Sequence, residues 1–172
     1  MPDKVQALAE PWLRGTLSDV PAVPRGVLHA LELAGEDVER WCGKLNDEEL
    51  NKRPGSLAPV AFHIRHLARS LDRLLTYAEG ASLNDNQMKA LKSEMDPGAT
   101  HHVLFAEFCG ALATSATRIR HLAHSDMEAS RTVGRKGLPT TLGGLLVHIA
   151  DHTQRHVGQV ITTAKIVQAQ SS

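Results

Sequence analysis

Three histidines near the C-terminal end of the chain carry the clearest chemical signal in the sequence. His148, His152 and His156 recur at intervals of four residues. Residues four apart lie on the same face of an α-helix, so two such imidazoles can point toward one metal ion. The spacing therefore predicts a transition-metal site built on a helix. The alternative is three histidines that happen to lie on a helix surface, because short metal motifs often occur by chance.

The elements that must position these histidines are helical. Apolar residues recur with a helical period in four separate stretches, and Pro and Gly separate them. Strand-like alternation of useful length is missing, and aromatic residues are scarce. The sequence therefore predicts an all-α, four-helix bundle that forms a single domain over residues 1–172. The long helices are expected at 24–45, 58–79, 101–123 and 141–168.

The remaining segments are expected to connect these helices. Residues 1–21 are interpreted as an N-terminal arm with one short helix, and Asn46 is expected to begin a capped helical turn. A short polar helix over 83–95 lies within the long connection between the second and third helices. Residues 125–139 are predicted to be a loop, after which Thr140 or Thr141 caps the last helix.

Composition excludes several classes of protein. Lys plus Arg equals Asp plus Glu at 19 each, which argues against nucleic acid as the main partner. The two cysteines form no CxxC motif and give no sign of an oxidising compartment. No apolar run is long enough to span a membrane, and no secretory signal begins the chain. We therefore expect a cytoplasmic protein without a membrane partner.

A helical wheel of the last helix ranks its histidines as ligands. His156 falls at the edge of the apolar face, His152 one step further out and His148 further still. The pair His152 and His156 is thus the better placed. The third ligand should come from the second long helix, where His63 and His66 flank a strong apolar stripe. On the wheel His63 is nearer the apolar centre, so periodicity alone mildly favours it over His66.

Other polar residues receive no role in the site. Asp72 and Asp151 are expected to lie on other helix faces than the histidines. The pairs His101/His102 and His121/His124 lie at the two ends of the third helix, where the last pair favours the helix dipole. Three basic residues of the loop, Arg131, Arg135 and Lys136, are expected to be solvated.

Two segments together resemble the DinB/YfiT-like superfamily. They are VAFHIRHLARSLDR, which begins at Val60, and HTQRHVGQ, which begins at His152. The resemblance covers roughly residues 20–168. It implies a four-helix bundle of up-down-down-up type and a divalent metal held by one His of the second helix and an HxxxH pair of a later helix. Mapped onto this chain, the ligands are His66, His152 and His156. We follow the resemblance over the wheel, so His63 and His148 become second choices that line the pocket.

The resemblance also implies a range of functions. Relatives include S-transferases or isomerases that use a low-molecular-weight thiol, and metal-dependent hydrolases. The carboxylate that replaces one histidine in the mycothiol-dependent branch is absent, because His152 stands at that position. We expect one divalent transition metal, with Zn or Ni preferred over Fe, Mn and Cu, a small-molecule substrate that includes a thiol as one candidate, and a homodimer. The alternative is a non-catalytic metal- or ligand-binding module of a stress response.

Overall fold

The structure, a computed structural model, describes residues 9–171, and the remaining residues of the predicted N-terminal arm lie outside the described residues. Within the described part, the chain is mostly helical. The arm contributes a short 3-10 helix over Pro11–Leu13. The α-helices are α1 (Ala22–Cys42), α2 (Asp47–Asn51), α3 (Val60–Ala78), α4 (Asp85–Lys92), α5 (His101–Leu122) and α6 (Leu142–Ser171). The predicted helices are thus present, with ends shifted by a few residues.

Several helix ends follow directly from local sequence. Asn46 accepts a hydrogen bond from the backbone of Glu49 and forms a capping box with it, as predicted. Thr141 is the cap of α6, since its hydroxyl accepts a hydrogen bond from the Gly144 backbone N–H. Gly80 ends α3 with a positive φ of 80°, a conformation that glycine adopts without strain.

The four long helices pack side by side around the core. α1 contacts α5 and α6, and α3 contacts the same two helices. The predicted apolar face of α6 is buried throughout. Leu67 of α3 and Phe108 of α5 are buried in the same hydrophobic cluster as part of this face. Leu104 takes the core position at its turn of α5, and its neighbour Val103 is 57% exposed. No helix within residues 9–171 is long and apolar enough to cross a membrane.

The segment between α5 and α6 contains the strands of this mostly helical chain, which were not predicted. Residues 125–139 were expected to form a loop, but they include most of an antiparallel hairpin. Its strands are β1 (Ser130–Val133) and β2 (Leu138–Thr141). Arg131 attaches the hairpin to the end of α3 by donating a hydrogen bond of 2.6 Å to the Ala78 carbonyl. The strands are short and partly exposed and β2 contains Pro139, so they carry little strand signal.

Candidate metal centre

His66, His152 and His156 come together where α3 packs against α6. Leu67 and Val157, which adjoin two of these histidines in sequence, are buried in the same part of the core. Their burial fixes the rotation of both helices, so that the neighbouring imidazoles face each other across the contact. One ring nitrogen from each histidine lies within 4.8 Å of the other two. The three side chains therefore form a compact cluster, which we call the histidine cluster.

The distances within the histidine cluster fit ligands of one ion. Nε2 of His66 and Nε2 of His152 are 3.3 Å apart. Two nitrogens bound tetrahedrally to zinc at 2.0–2.1 Å are separated by about 3.4 Å, so this pair needs little adjustment. The His156 ring centroid lies 4.3 Å from that of His66 and 4.6 Å from that of His152. Three imidazoles without a carboxylate form a donor set that suits Zn, Ni, Cu and Fe.

The protein leaves part of the bonding capacity of these rings unused. The Nδ1 atoms of His152 and His156 are buried and have no hydrogen-bond partner within residues 9–171. Burial, followed by the proximity of His156 and His66, lowers the pKa of His152 to about 4. Burial and then the proximity of His66 lower the pKa of His156 to about 4 as well. Both rings are therefore neutral at neutral pH, which is the form that binds a metal.

Glu94 contacts the histidine cluster from the connection that follows α4. Its Oε2 lies 2.7 Å from Nδ1 of His66, and its Oε1 accepts a hydrogen bond of 2.6 Å from Arg73. Burial would raise the pKa of the Glu94 carboxyl, but the hydrogen bonds from His66 and Arg73 lower it below its ordinary value. Glu94 is thus an ionised carboxylate that is only 4% exposed.

Glu94 falls within the polar helix predicted over 83–95, and no role in the site was predicted for it. One feature of the sequence points to a partner of this kind. Arg65, Arg69 and Arg73 recur at intervals of four on the helix that carries His66, which indicates acidic or carbonyl partners along that face. Asp72 and Asp151 behave as expected, since Asp72 pairs with Arg118 and Asp151 pairs with Arg155 on the surface.

The second-choice histidines lie outside the histidine cluster. His148 is exposed, and its ring centroid is 5.6 Å from that of His152. His63 is buried, its ring centroid is 5.9 Å from that of His156, and burial lowers its pKa to about 4. Its Nδ1 has no hydrogen-bond partner within the described chain. His101 is the first residue of α5, where its ring stacks on that of Phe105.

A cavity of about 670 Å³ is lined by His63, whose ring centroid is 5.9 Å from that of His156, while the three histidines of the cluster do not line it. One wall is the segment that precedes α3, and the other is α6 beyond His156. A Cβ added at Gly158 would meet nothing within 4 Å, so the cavity reaches the backbone of α6 there. Its lining mixes apolar groups with hydroxyl, amide and guanidinium groups, from Ser56, Leu57, Ala58, His63, Arg155, Gly158, Gln159, Thr162 and Thr163.

The fold and the histidine cluster together define a helical protein with a candidate three-histidine metal centre. Residues 30–160 match the DinB superfamily, and the chain belongs to this family. No curated protein matches the sequence. The fold is similar to the crystal structure of a conserved protein of locus from Enterococcus faecalis. The two are 18% identical with a TM-score of 0.71, and the match covers 87% of this chain and 99% of that one. At this identity the likeness shows the fold alone.

Proposed function

We propose that the protein is a metal-dependent enzyme that acts on a small molecule. In this proposal His66, His152 and His156 hold one divalent ion, with zinc or nickel preferred. The observation that carries it is the convergence of three imidazole nitrogens within 4.8 Å beside a cavity of substrate size. Family membership supports it, and the proposal includes the up-down-down-up bundle that the resemblance implies.

Each residue around the site has a definite part in this proposal. An ion bound by three imidazoles, with other positions open, supplies Lewis acidity that promotes ionisation of a water or a thiol. The neutral rings of His152 and His156 stay on one face because they are one helical turn apart. His63 closes the cavity beside His156, and Gly158 leaves space for a substrate along α6. The apolar part of the lining excludes water from the bound molecule.

Two reactions match this arrangement. In a thiol transfer, the thiol gives its proton to solvent, its sulfur forms a bond to an electrophilic carbon, and the leaving group departs from that carbon with the electron pair of the broken bond. In a hydrolysis, water takes the place of the thiol. The cavity contains hydroxyl and amide groups that can orient either substrate, so we place both reactions within the proposal.

The second candidate is a non-catalytic binding module. One observation favours it: the described residues that line the cavity include no carboxylate to accept a proton from a thiol or water. A binding module would hold the metal and a ligand without turning the ligand over. A homodimer and a cytoplasmic location belong to both candidates as proposals.

Metal analysis followed by an activity assay separates the two candidates. Protein purified without chelator should contain about one equivalent of a divalent metal by elemental analysis. The loaded protein is then incubated with an electrophilic aromatic halide and a series of low-molecular-weight thiols, and in parallel with activated esters. Metal-dependent turnover that His152→Ala abolishes supports the enzyme. Metal binding without turnover of any substrate favours the binding module, and failure to load any metal contradicts both.

A further inference from the structure

One carboxylate connects the histidine cluster to the segment between α4 and α5. Glu94 is 4% exposed, and its two oxygens have different partners, His66 on one side and Arg73 on the other. We propose that Glu94 is the positioning residue of the candidate metal centre and holds His66 with its Nε2 free to bind an ion. The inference rests on the proposed function for its consequence in metal affinity, although its effect on His66 exists without metal.

The hydrogen bond to Glu94 selects one tautomer of His66. An ionised carboxylate can only accept, so Nδ1 of a neutral His66 must carry the proton that it donates over 2.7 Å. The other nitrogen, Nε2, is then unprotonated and lies 3.3 Å from Nε2 of His152. A carboxylate on the far nitrogen of a ligating histidine fixes the ring and increases its basicity. Glu94 therefore prepares the nitrogen that faces the cluster.

A row of arginines on α3 holds Glu94 in this place. Arg65 donates to the backbone carbonyls of Glu94 and Asp96, at 3.1 and 2.6 Å. Arg69 donates to the Ala90 carbonyl at 2.8 Å and to the Ser93 hydroxyl at 2.9 Å. The Ala90 carbonyl at the end of α4 also accepts hydrogen bonds from the backbone N–H and the hydroxyl of Ser93, so Arg69 adds a third donor to this helix end.

Arg73, the third arginine of this row, binds the Glu94 carboxylate itself. It is 9% exposed, so both members of the ion pair are buried. An ion pair alone would not require the second carboxylate oxygen to reach His66. Arg65 and Arg69 fix the connection, and Arg73 binds the Glu94 carboxylate. Together they determine where the other carboxylate oxygen meets the His66 imidazole.

The test compares replacements of Glu94 in the full chain. Glu94→Ala should weaken Zn²⁺ binding by about 10–100-fold, as loss of such a partner does at other metal sites. Glu94→Gln retains an acceptor oxygen for Nδ1 and should recover part of the affinity. Glu79→Gln is the control, since it removes an ion pair with Arg118 at the end of the same helix without contact to His66. The double replacement Glu94→Leu with Arg73→Met avoids an unpaired buried charge if Glu94→Ala fails to fold.

The second readout is the tautomer of His66 in metal-free protein, from nitrogen-15 imidazole shifts at neutral pH. The wild type and Glu79→Gln should show a protonated Nδ1, whereas Glu94→Ala or the double variant should show a mixture of tautomers. An unchanged tautomer in folded Glu94→Ala or double variant, or unchanged Zn²⁺ affinity in both, would overturn the inference. If the wild type binds no metal, the proposed function fails, while the tautomer measurement still decides whether Glu94 orients His66.

Discussion

His66 and His152 are 86 positions apart in the chain, and their Nε2 atoms lie 3.3 Å apart. Two neutral imidazoles at this distance can share one proton in a hydrogen bond, or both can direct a lone pair to a cation. Because Glu94 accepts the Nδ1 proton of His66, the Nε2 lone pair of His66 faces His152. Nε2 of His66 can therefore either accept a hydrogen bond from His152 or bind an ion.

The first prediction concerns metal content. His66→Ala, His152→Ala and His156→Ala should each lose most of the bound metal, because each removes one of the three converging nitrogens. Elemental analysis and titration calorimetry measure the loss. Added metal should also raise the unfolding free energy of the wild type by about 2.7 kcal/mol at 100 times the dissociation constant. The three variants should show little of this gain.

Two replacements outside the histidine cluster serve as controls for that prediction. His148→Ala removes an exposed neighbour of His152, and His124→Ala removes an exposed residue after the end of α5. Both variants should keep wild-type metal content. If His63→Ala abolishes binding while His66→Ala does not, the helical wheel was the better guide to the ligand on α3.

The second prediction concerns the cavity beside His63. Gly158→Leu places a side chain in open space that adjoins the proposed substrate site, so it should retain metal and lower turnover strongly. The matched control is Gly26→Leu, since Gly26 is also helical and exposed with nothing within 4 Å of an added Cβ. Both variants should gain up to about 1 kcal/mol of stability by removing glycine from a helix. Equal turnover in the two variants would exclude the cavity as the substrate site.

The third prediction distinguishes the two cysteines. Burial raises the pKa of the Cys42 thiol to about 12, so at pH 8 it is protonated as well as inaccessible. Cys109 is exposed and should react with a disulfide reagent in the folded protein. We expect one reactive thiol per chain before denaturation and two afterwards. Cys109→Ser should abolish the fast reaction, and rapid labelling of Cys42 in the native state would contradict its burial.

The fourth prediction is the homodimer that the family resemblance implies. Light scattering on the full chain at working concentration should give twice the mass of one chain. A mass of one chain, independent of protein concentration, would contradict it.

Much of the fold and part of the candidate site could be predicted from the sequence because their signals are local. Helical periodicity indicated the four long helices, and cap residues marked the start of the short helix α2 at Asn46 and the start of α6 at Thr141. The spacing of His152 and His156 indicated a shared helix face without any tertiary information.

Periodicity alone did not determine which residues meet this helix face, and His66 was preferred over His63 only through the family resemblance. A wheel describes rotation about a helix axis but not position along it, and His63 and His66 differ by about 4.5 Å along α3. The packing of α3 on α6 determines that axial position, and it places His66 in the histidine cluster. Glu94 reaches the cluster from 28 positions away because the arginines of α3 hold its segment. The arginine spacing on α3 indicates acidic or carbonyl partners, but it does not identify Glu94, because that contact depends on how helices and connections pack over long sequence distances.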